Sequence, residues 1–297
     1  IKKIWENELK LRKIDLIFVN FAPTLIQVAR QRIPVINLGT FWDTPSSLLK
    51  EIPRFQNREK RIKDAHIINI LVKVFGRERV PDSLTKALHG DSTYIFNEPE
   101  FDNFHPRKAK PRAIGITGYQ AIIDAAKFPK RKKVFAYIHP YRRFAMKHLE
   151  ELSKTKFKID AYVPGLSEQD KRRLSSESLN FVEKQSYAQL SQNYSVALHQ
   201  AGQGMCQNMT ILGLGQILIP SYPEGGINGT SVEGLKVGSV IPPGQHETLN
   251  NEKLDTVLGE MLAEDHTKRV WNSTRHFRER ARPNIDQILM KAASKYV

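Results

Sequence analysis

The sequence predicts an α/β protein made of two facing doubly wound, Rossmann-like domains, and three observations predict it. Short, continuously apolar segments of strand length recur along the chain, among them "DLIFVN", "PVINLG", "KVFAYIHP" and "QILIPS". Strands apolar on both faces belong to parallel sheets covered by helices. Between them lie segments whose apolar residues follow a helical period. The alternation stops between Thr117 and Lys133, where a glycine and a dense lysine-arginine run with prolines nearby replace it, then restarts; such a stretch reads as a linker. The expected domains are residues 1–125, residues 126–282, and a C-terminal helix, 283–297, packing back on the first domain.

The elements follow in order. "IKKIWENELKLRKI" sets Ile1, Ile4, Trp5, Leu9 and Leu11 on one helical face. "DLIFVN" is a strand, and "APTLIQVARQRI" is a helix with Pro23 in its first turn, where a missing N–H is harmless. "PVINLG" completes a βαβ unit. Residues 57–79 read as a helix with a basic start, and "STYIFN" and "AIGITG" as two further strands. The second half runs strand "KVFAYIHP", helix "RRFAMKHLEEL", strand "FKIDAYVPG" and short helix "SEQDKRRLS". "LNFVEK" with "SYAQLSQN" repeats the unit, and "SVALHQ", "GQGMCQNMTILG" and "QILIPS" repeat it again. A helix from about Asn228 leads to strand "KVGSVIPP", and the remaining segments are helical.

Composition narrows the function. With 297 residues, 40% hydrophobic and 26% charged, the chain can bury a substantial core. No apolar run reaches membrane length, and the longest, Ile211–Pro220, is strand-sized. The pattern opens at Ile1 inside a helix, so the first domain is expected to be incomplete in this chain. The one cysteine, Cys206, reads as a small buried hydrophobe and fits a reducing, cytoplasmic compartment. A net charge of +15 calls for anionic partners. Its clusters, "RKAKPR", "KFPKRKK" and "KRVWNSTRHFRERARP", lack zinc spacing, RNP-like aromatics and repeated basic–aromatic interleaving, which argues against nucleic acid. A peripheral contact with an anionic membrane, or an acidic substrate, accounts for the charge as well.

Two turns carry chemistry. In "HQAGQG", Gly202 and Gly204 leave room for close backbone approach where a helix begins. Free N–H groups and the helix dipole at such an end bind phosphate. His199, just before the turn, could donate a hydrogen bond to it. The second turn, "PSYPEGGIN", puts Glu224 four residues after Pro220 and Asn228 four further on. A carboxylate at a strand end suits vicinal sugar hydroxyls, each of which donates to an acceptor-only group; a helix-capping acid is the plainer alternative. No H-E-x-x-H or similar ligand spacing appears, so no metal is predicted. His66 and His148 fall in helical patterns that suit packing, whereas His139 with Arg142 and Arg143 could attract phosphate at a strand end.

The order strand-His-x-x-Gly-x-Gly-helix, then Leu-Gly-x-x-x-x-x-Pro-x-x-x-Glu-x-x-x-Asn, resembles the donor-binding half of UDP-glucuronosyl/macrolide-type glycosyltransferases of the GT-B fold. "KIDLIFVNFAPTLIQVARQRIPVINLGT", "STYIFNEPEFDNF" and "KKVFAYIHP" resemble the acceptor domain's end, the segment before the linker and the second domain's first strand. The resemblance implies a sugar transferred from a nucleotide diphosphate-sugar to an acceptor hydroxyl, with inversion and with no metal or further cofactor. It places the donor diphosphate on Gly202, Gln203, Gly204 and Met205 with help from His199, and the sugar at Glu224, Gly225 and Asn228. Phe181 and Val182 match the region that holds the nucleotide base. Gly225 stands where those enzymes usually carry glutamine, and His139 and Pro140 replace a small Gly-Ser/Thr turn. No motif identifies the base that takes the acceptor proton. A nucleotide-sugar epimerase and a catalytically silent binding or activator subunit remain as alternatives.

Overall fold

The computed structural model describes residues 1–52, 62–102, 113–280 and 284–296. The chain divides into two compact units, Ile1–Thr117 with Ala281–Val297, and Gly118–Arg280.

The first unit runs α1 (Lys2–Leu11), β1 (Ile17–Val19), α2 (Pro23–Ala29), β2 (Val35–Gly39), α3 (Asp64–Phe75), α4 (Leu84–Ala87) and β3 (Ser92–Ile95). Its strands are parallel in the order β1-β2-β3. Pro23 opens α2, and Leu25 through Ala29 are all buried, so this helix is enclosed on every side. The final helix, Ile285–Ala293, belongs to this unit: Ala292, Ile285, Ile288 and Leu289 pack with Ile36, Tyr94 and Ile114. The segment "AIGITG" forms no strand; Ala113 makes only a parallel bridge to Ile95. Residues 57–61 and the basic cluster at 107–112 lie outside the described residues.

The second unit runs α5 (Tyr119–Ala125), β4 (Val134–Tyr137), α6 (Ala145–Leu152), β5 (Ile159–Tyr162), α7 (Glu168–Leu174), β6 (Leu179–Phe181), α8 (Tyr187–Asn193) and β7 (Val196–His199). It continues with α9 (Gln203–Leu212), β8 (Gly215–Leu218), α10 (Pro223–Gly234), β9 (Gly238–Val240), α11 (Asn251–Met261), α12 (Glu264–Ser273) and α13 (Arg275–Glu279). All six strands are parallel, in the order β6-β5-β4-β7-β8-β9. The order reverses between β4 and β7, and the carboxyl ends of strands at such a switch point form the ligand crevice of doubly wound sheets. Val134, Ala136, Leu149, Leu179, Val196 and Ile217 form the centre of one core cluster, each with 0% exposure.

Two boundaries differ from the sequence reading. The expected linker contains α5, whose Ile122 is wholly buried and which packs on α8 and α9. The unit boundary therefore falls at Gly118, not after residue 125. Apolar packing of Ile122 and Tyr119 outweighs the flanking glycine and lysines. Helix α10 starts at Pro223 rather than near Asn228, because proline is preorganised for a first helical position despite the Gly-Gly that follows. Among the described residues no helix is long and apolar enough to cross a membrane.

Candidate functional site

The site is built on the first turn of α9, directly after β7. Gly202 is its N-cap and no side chain caps the end; the first helical bond runs from the Cys206 N–H to the Gly202 carbonyl. The helix geometry thus leaves the N–H groups of Gln203, Gly204 and Met205 without intrahelical acceptors. A Cβ added at Gly204 would meet nothing within 4 Å. Internal packing does not require glycine there, and glycine early in a helix costs about 0.5–1 kcal/mol against alanine. Gln203 sharpens the point: it is 7% exposed, and neither end of its side-chain amide has a partner. Buried orphan amides of this kind cost roughly 1–3 kcal/mol unless something satisfies them.

His199, the last residue of β7, is held in the core. It is fully buried, with Nε2 3.1 Å from Gln216 Oε1. The Gln216 amide donates through Nε2 to Thr210 Oγ1 at 2.9 Å and to the Cys206 carbonyl at 3.2 Å. Its oxygen therefore faces the imidazole, and His199 carries its proton on Nε2. Burial drives the His199 pKa down to about 4, against a smaller opposing effect of the Gln216 bond. This neutral histidine ties β7 to β8 and α9 through Nε2, while its buried Nδ1 has no partner. The Cys206 thiol beside it is wholly buried, and its pKa is pushed up by that burial and then by Glu224.

The second turn divides into one candidate contact and two supports. Glu224 sits half-buried in the first turn of α10. Asn228, expected at the sugar, is wholly buried and donates from Nδ2 to the Ala201 carbonyl at 2.9 Å. That bond steadies a residue under strain, since Ala201 has φ 58° in the left-handed region. Gly225 is also buried: a Cβ there would lie 3.2 Å from the Gln200 carbonyl and from Pro220 Cβ. It lets α10 close on the 200–201 turn, and it has no side chain to offer a sugar. Asn228 and Gly225 both brace the 200–201 turn.

Three residues complete the rim. Gln200 bridges the two strands at the switch point: its Oε1 accepts from the His139 N–H at 2.9 Å, and its Nε2 donates to the His139 carbonyl at 3.4 Å. Tyr222 lies against α9, its hydroxyl 3.5 Å from the point where a Cβ on Gly202 would sit. Burial, and then Glu224, push the Tyr222 phenol up to about 12. The Arg142 guanidinium rests 4.7 Å from the centre of the Tyr222 ring, placing a cation beside the turn. Arg142 was legible only as one of three basic or titratable groups after β4; its pairing with Tyr222 joins segments 80 residues apart.

Phe181 and Val182 line a groove of ≈ 200 Å³ with Tyr162, Val163, Gly165 and Lys171, beyond the ends of β5 and β6. The first unit has its own apolar pocket, ≈ 420 Å³, lined by Phe21, Pro23, Trp42, Ile67 and Leu71 among others. Phe21 there is exposed and held at φ 41°. No sequence motif announces this pocket, because separate segments supply its walls. Among the described residues, no group of three or more His, Cys, Asp and Glu is placed to hold a metal ion.

No protein-family model matches the chain, and no curated protein matches it in sequence. Solved structures do match. The glycosyltransferase VinC, in complex with dTDP, superposes with TM-score 0.68 at 12% identity, over 99% of this chain and 74% of that one. The spinosyn forosaminyltransferase SpnP gives 0.66 at 14%, over 99% and 80%. The calicheamicin glycosyltransferase CalG4 gives 0.65 at 15%, over 92% and 74%. The chain has the GT-B fold of these glycosyltransferases.

Proposed function

We propose that the chain transfers a sugar from a nucleotide diphosphate-sugar to an acceptor hydroxyl. The observation that carries this reading is the first turn of α9 at the switch point: uncapped amides, open space at Gly204 and an orphaned, buried Gln203 amide. The diphosphate lies against the Gln203, Gly204 and Met205 N–H groups with Arg142 alongside. The nucleotide base, uracil in a UDP donor, occupies the groove at Phe181 and Val182, and the sugar hydroxyls donate to Glu224.

In the reaction the acceptor oxygen bonds to the anomeric carbon as the bond from that carbon to the diphosphate breaks. The electron pair leaves with the diphosphate, the hydroxyl proton goes to a base, and a single displacement inverts the centre. Charge develops on the leaving oxygen, where preorganised amides and a guanidinium stabilise it most. They serve the purpose a metal ion would serve, so the reading requires no metal and no cofactor beyond the donor.

Calorimetric titration with UDP and dTDP tests the cradle. Wild-type protein is expected to bind one of them, and Gly204→Val to lose at least tenfold in affinity while keeping its fold, since the added side chain enters open space. Unchanged affinity in the folded variant removes the cradle. Diphosphate release that depends on an added acceptor separates a transferase from an epimerase. Donor binding without release leaves the silent-subunit alternative, which Gly225 in place of glutamine favours.

A further inference from the structure

We propose that the second unit carries another anion site, for a phosphate-bearing group, at the end of its sheet opposite the donor turn. Lys130, Arg131 and Lys132 stand just before Lys133, which leads into β4, and Ser195 immediately precedes β7. Together with Phe128, Pro129, Leu262, Glu264 and Thr267 they line a cavity of ≈ 290 Å³. The strands are parallel, so residues entering β4 and β7 lie at one end of the sheet and the α9 turn at the other.

Three observations point to an anion. First, the cations are in excess: among the described residues no salt bridge pairs Lys130, Arg131 or Lys132 with a carboxylate, and Lys132 is only the weakest influence on the nearby Glu264 carboxylate. The next residue behaves differently, Lys133 Nζ lying 2.6 Å from Asp160 Oδ2. Second, the acid in the cavity wall is already engaged, Glu264 Oε1 lying 2.6 Å from Lys268 Nζ. Third, Ser195 is 3% exposed and its hydroxyl has no partner. A run of like charges is ordinarily a solvated surface. Here the run is anchored: Pro129 is buried, and Phe128 meets Trp271 edge-to-face at 5.9 Å. Ligand pockets for drug-sized molecules span about 300–1,000 Å³, so this cavity suits a small phosphomonoester rather than a whole nucleotide-sugar. A free metabolite and the headgroup of an anionic lipid offer the same chemistry.

The test follows backbone amide signals by NMR during titration with inorganic phosphate and with glycerol phosphate. Flotation with phosphatidylglycerol and with phosphatidylcholine vesicles runs in parallel. Saturable shifts are expected at Lys130–Lys133, Ser195 and Glu264–Thr267. The triple variant Lys130→Gln, Arg131→Gln, Lys132→Gln should weaken them at least tenfold, and Ser195→Ala severalfold. Shifts from soluble phosphate alone identify a free ligand; flotation with phosphatidylglycerol only, lost in the triple variant, identifies a headgroup. Shifts confined to Gly202–Met205, or a triple variant that responds like wild type, overturn the proposal. So does duplex DNA binding that vanishes steeply with salt while neither phosphate nor phosphatidylglycerol vesicles engage the pocket, the behaviour of diffuse polyanion attraction. None of these readings requires the donor site to work.

Discussion

In the proposed donor site, Glu224 is the residue assigned to the sugar. It lies in the first turn of a helix that begins with proline, and its field reaches both Tyr222 and Cys206. If it accepts hydrogen bonds from sugar hydroxyls, Glu224→Ala should weaken the intact nucleotide-sugar far more than the bare nucleoside diphosphate. Hydrogen bonds to charged groups contribute about 1.5–3 kcal/mol each, so the gap between the two ligands should be roughly tenfold or more. Equal losses for both, measured by calorimetry, place Glu224 away from the sugar. Individual residues were also where the sequence said least. A polar residue at a strand end gives no sign of which way it points. For His199 the deciding partner is Gln216, on the neighbouring strand, and for Asn228 it is the carbonyl of Ala201. The glycines were more legible, since Gly204 has no internal reason to be glycine while Gly225 has one in the backbone 3.2 Å away.

At the level of elements, α9 is aimed by what holds its far end. Gly213 terminates it at φ 74°, and a Cβ there would lie 2.5 Å from Trp271 Cε3. The Arg278 guanidinium stacks 3.7 Å from the Trp271 ring and donates to the Ile211 carbonyl at 3.3 Å, covering the negative end of the helix. Burial lowers the Arg278 pKa to about 10, which leaves it charged at neutral pH. Gly213→Ala should therefore destabilise by about 1–3 kcal/mol, from left-handed strain plus overpacking. Because α9 also presents the candidate phosphate amides, the same variant should weaken nucleoside diphosphate binding at a site it does not touch. A urea midpoint within error of wild type would show that the Trp271–Arg278 clamp yields freely. Most elements could be read from the sequence, because short apolar runs and helical periods are local signals. The exceptions were decided by distant packing: α5 is held by burial of Ile122 against later helices, and "AIGITG" finds only a bridge.

For the molecule as a whole, the buried histidines set how stability responds to acid. His148 is 2% exposed, neither ring nitrogen has a partner, and its ring meets His246 edge-on at 5.1 Å. Burial first, then His246 and Lys147, lower its pKa to about 4, the value His199 also reaches through burial. Both folded values lie below the ordinary histidine value of 6.5, so between them the unfolded chain holds protons that the native chain refuses. Stability is then complete above about pH 6.5 and falls as pH drops toward about 4, with a slope of up to about 1.4 kcal/mol per unit for each histidine. The carboxylates held below their usual range, Glu151, Glu168, Glu264 and Asp82, start from 4.5 or, for Asp82, 3.8 and titrate lower still. Their pairs lie at the surface, where such pairs contribute little. Burial also holds His246 and His266 below the ordinary value, so acid loss between pH 6.5 and 4.5 should come chiefly from these four histidines. Urea midpoints measured across that range should decline steadily in wild type, and His148→Phe, which fills an aromatic site beside Phe144, should make the decline measurably shallower. A flat wild-type profile, or a variant that declines as steeply as wild type, would mean that the His148 pocket admits water and holds its proton as readily as the unfolded chain.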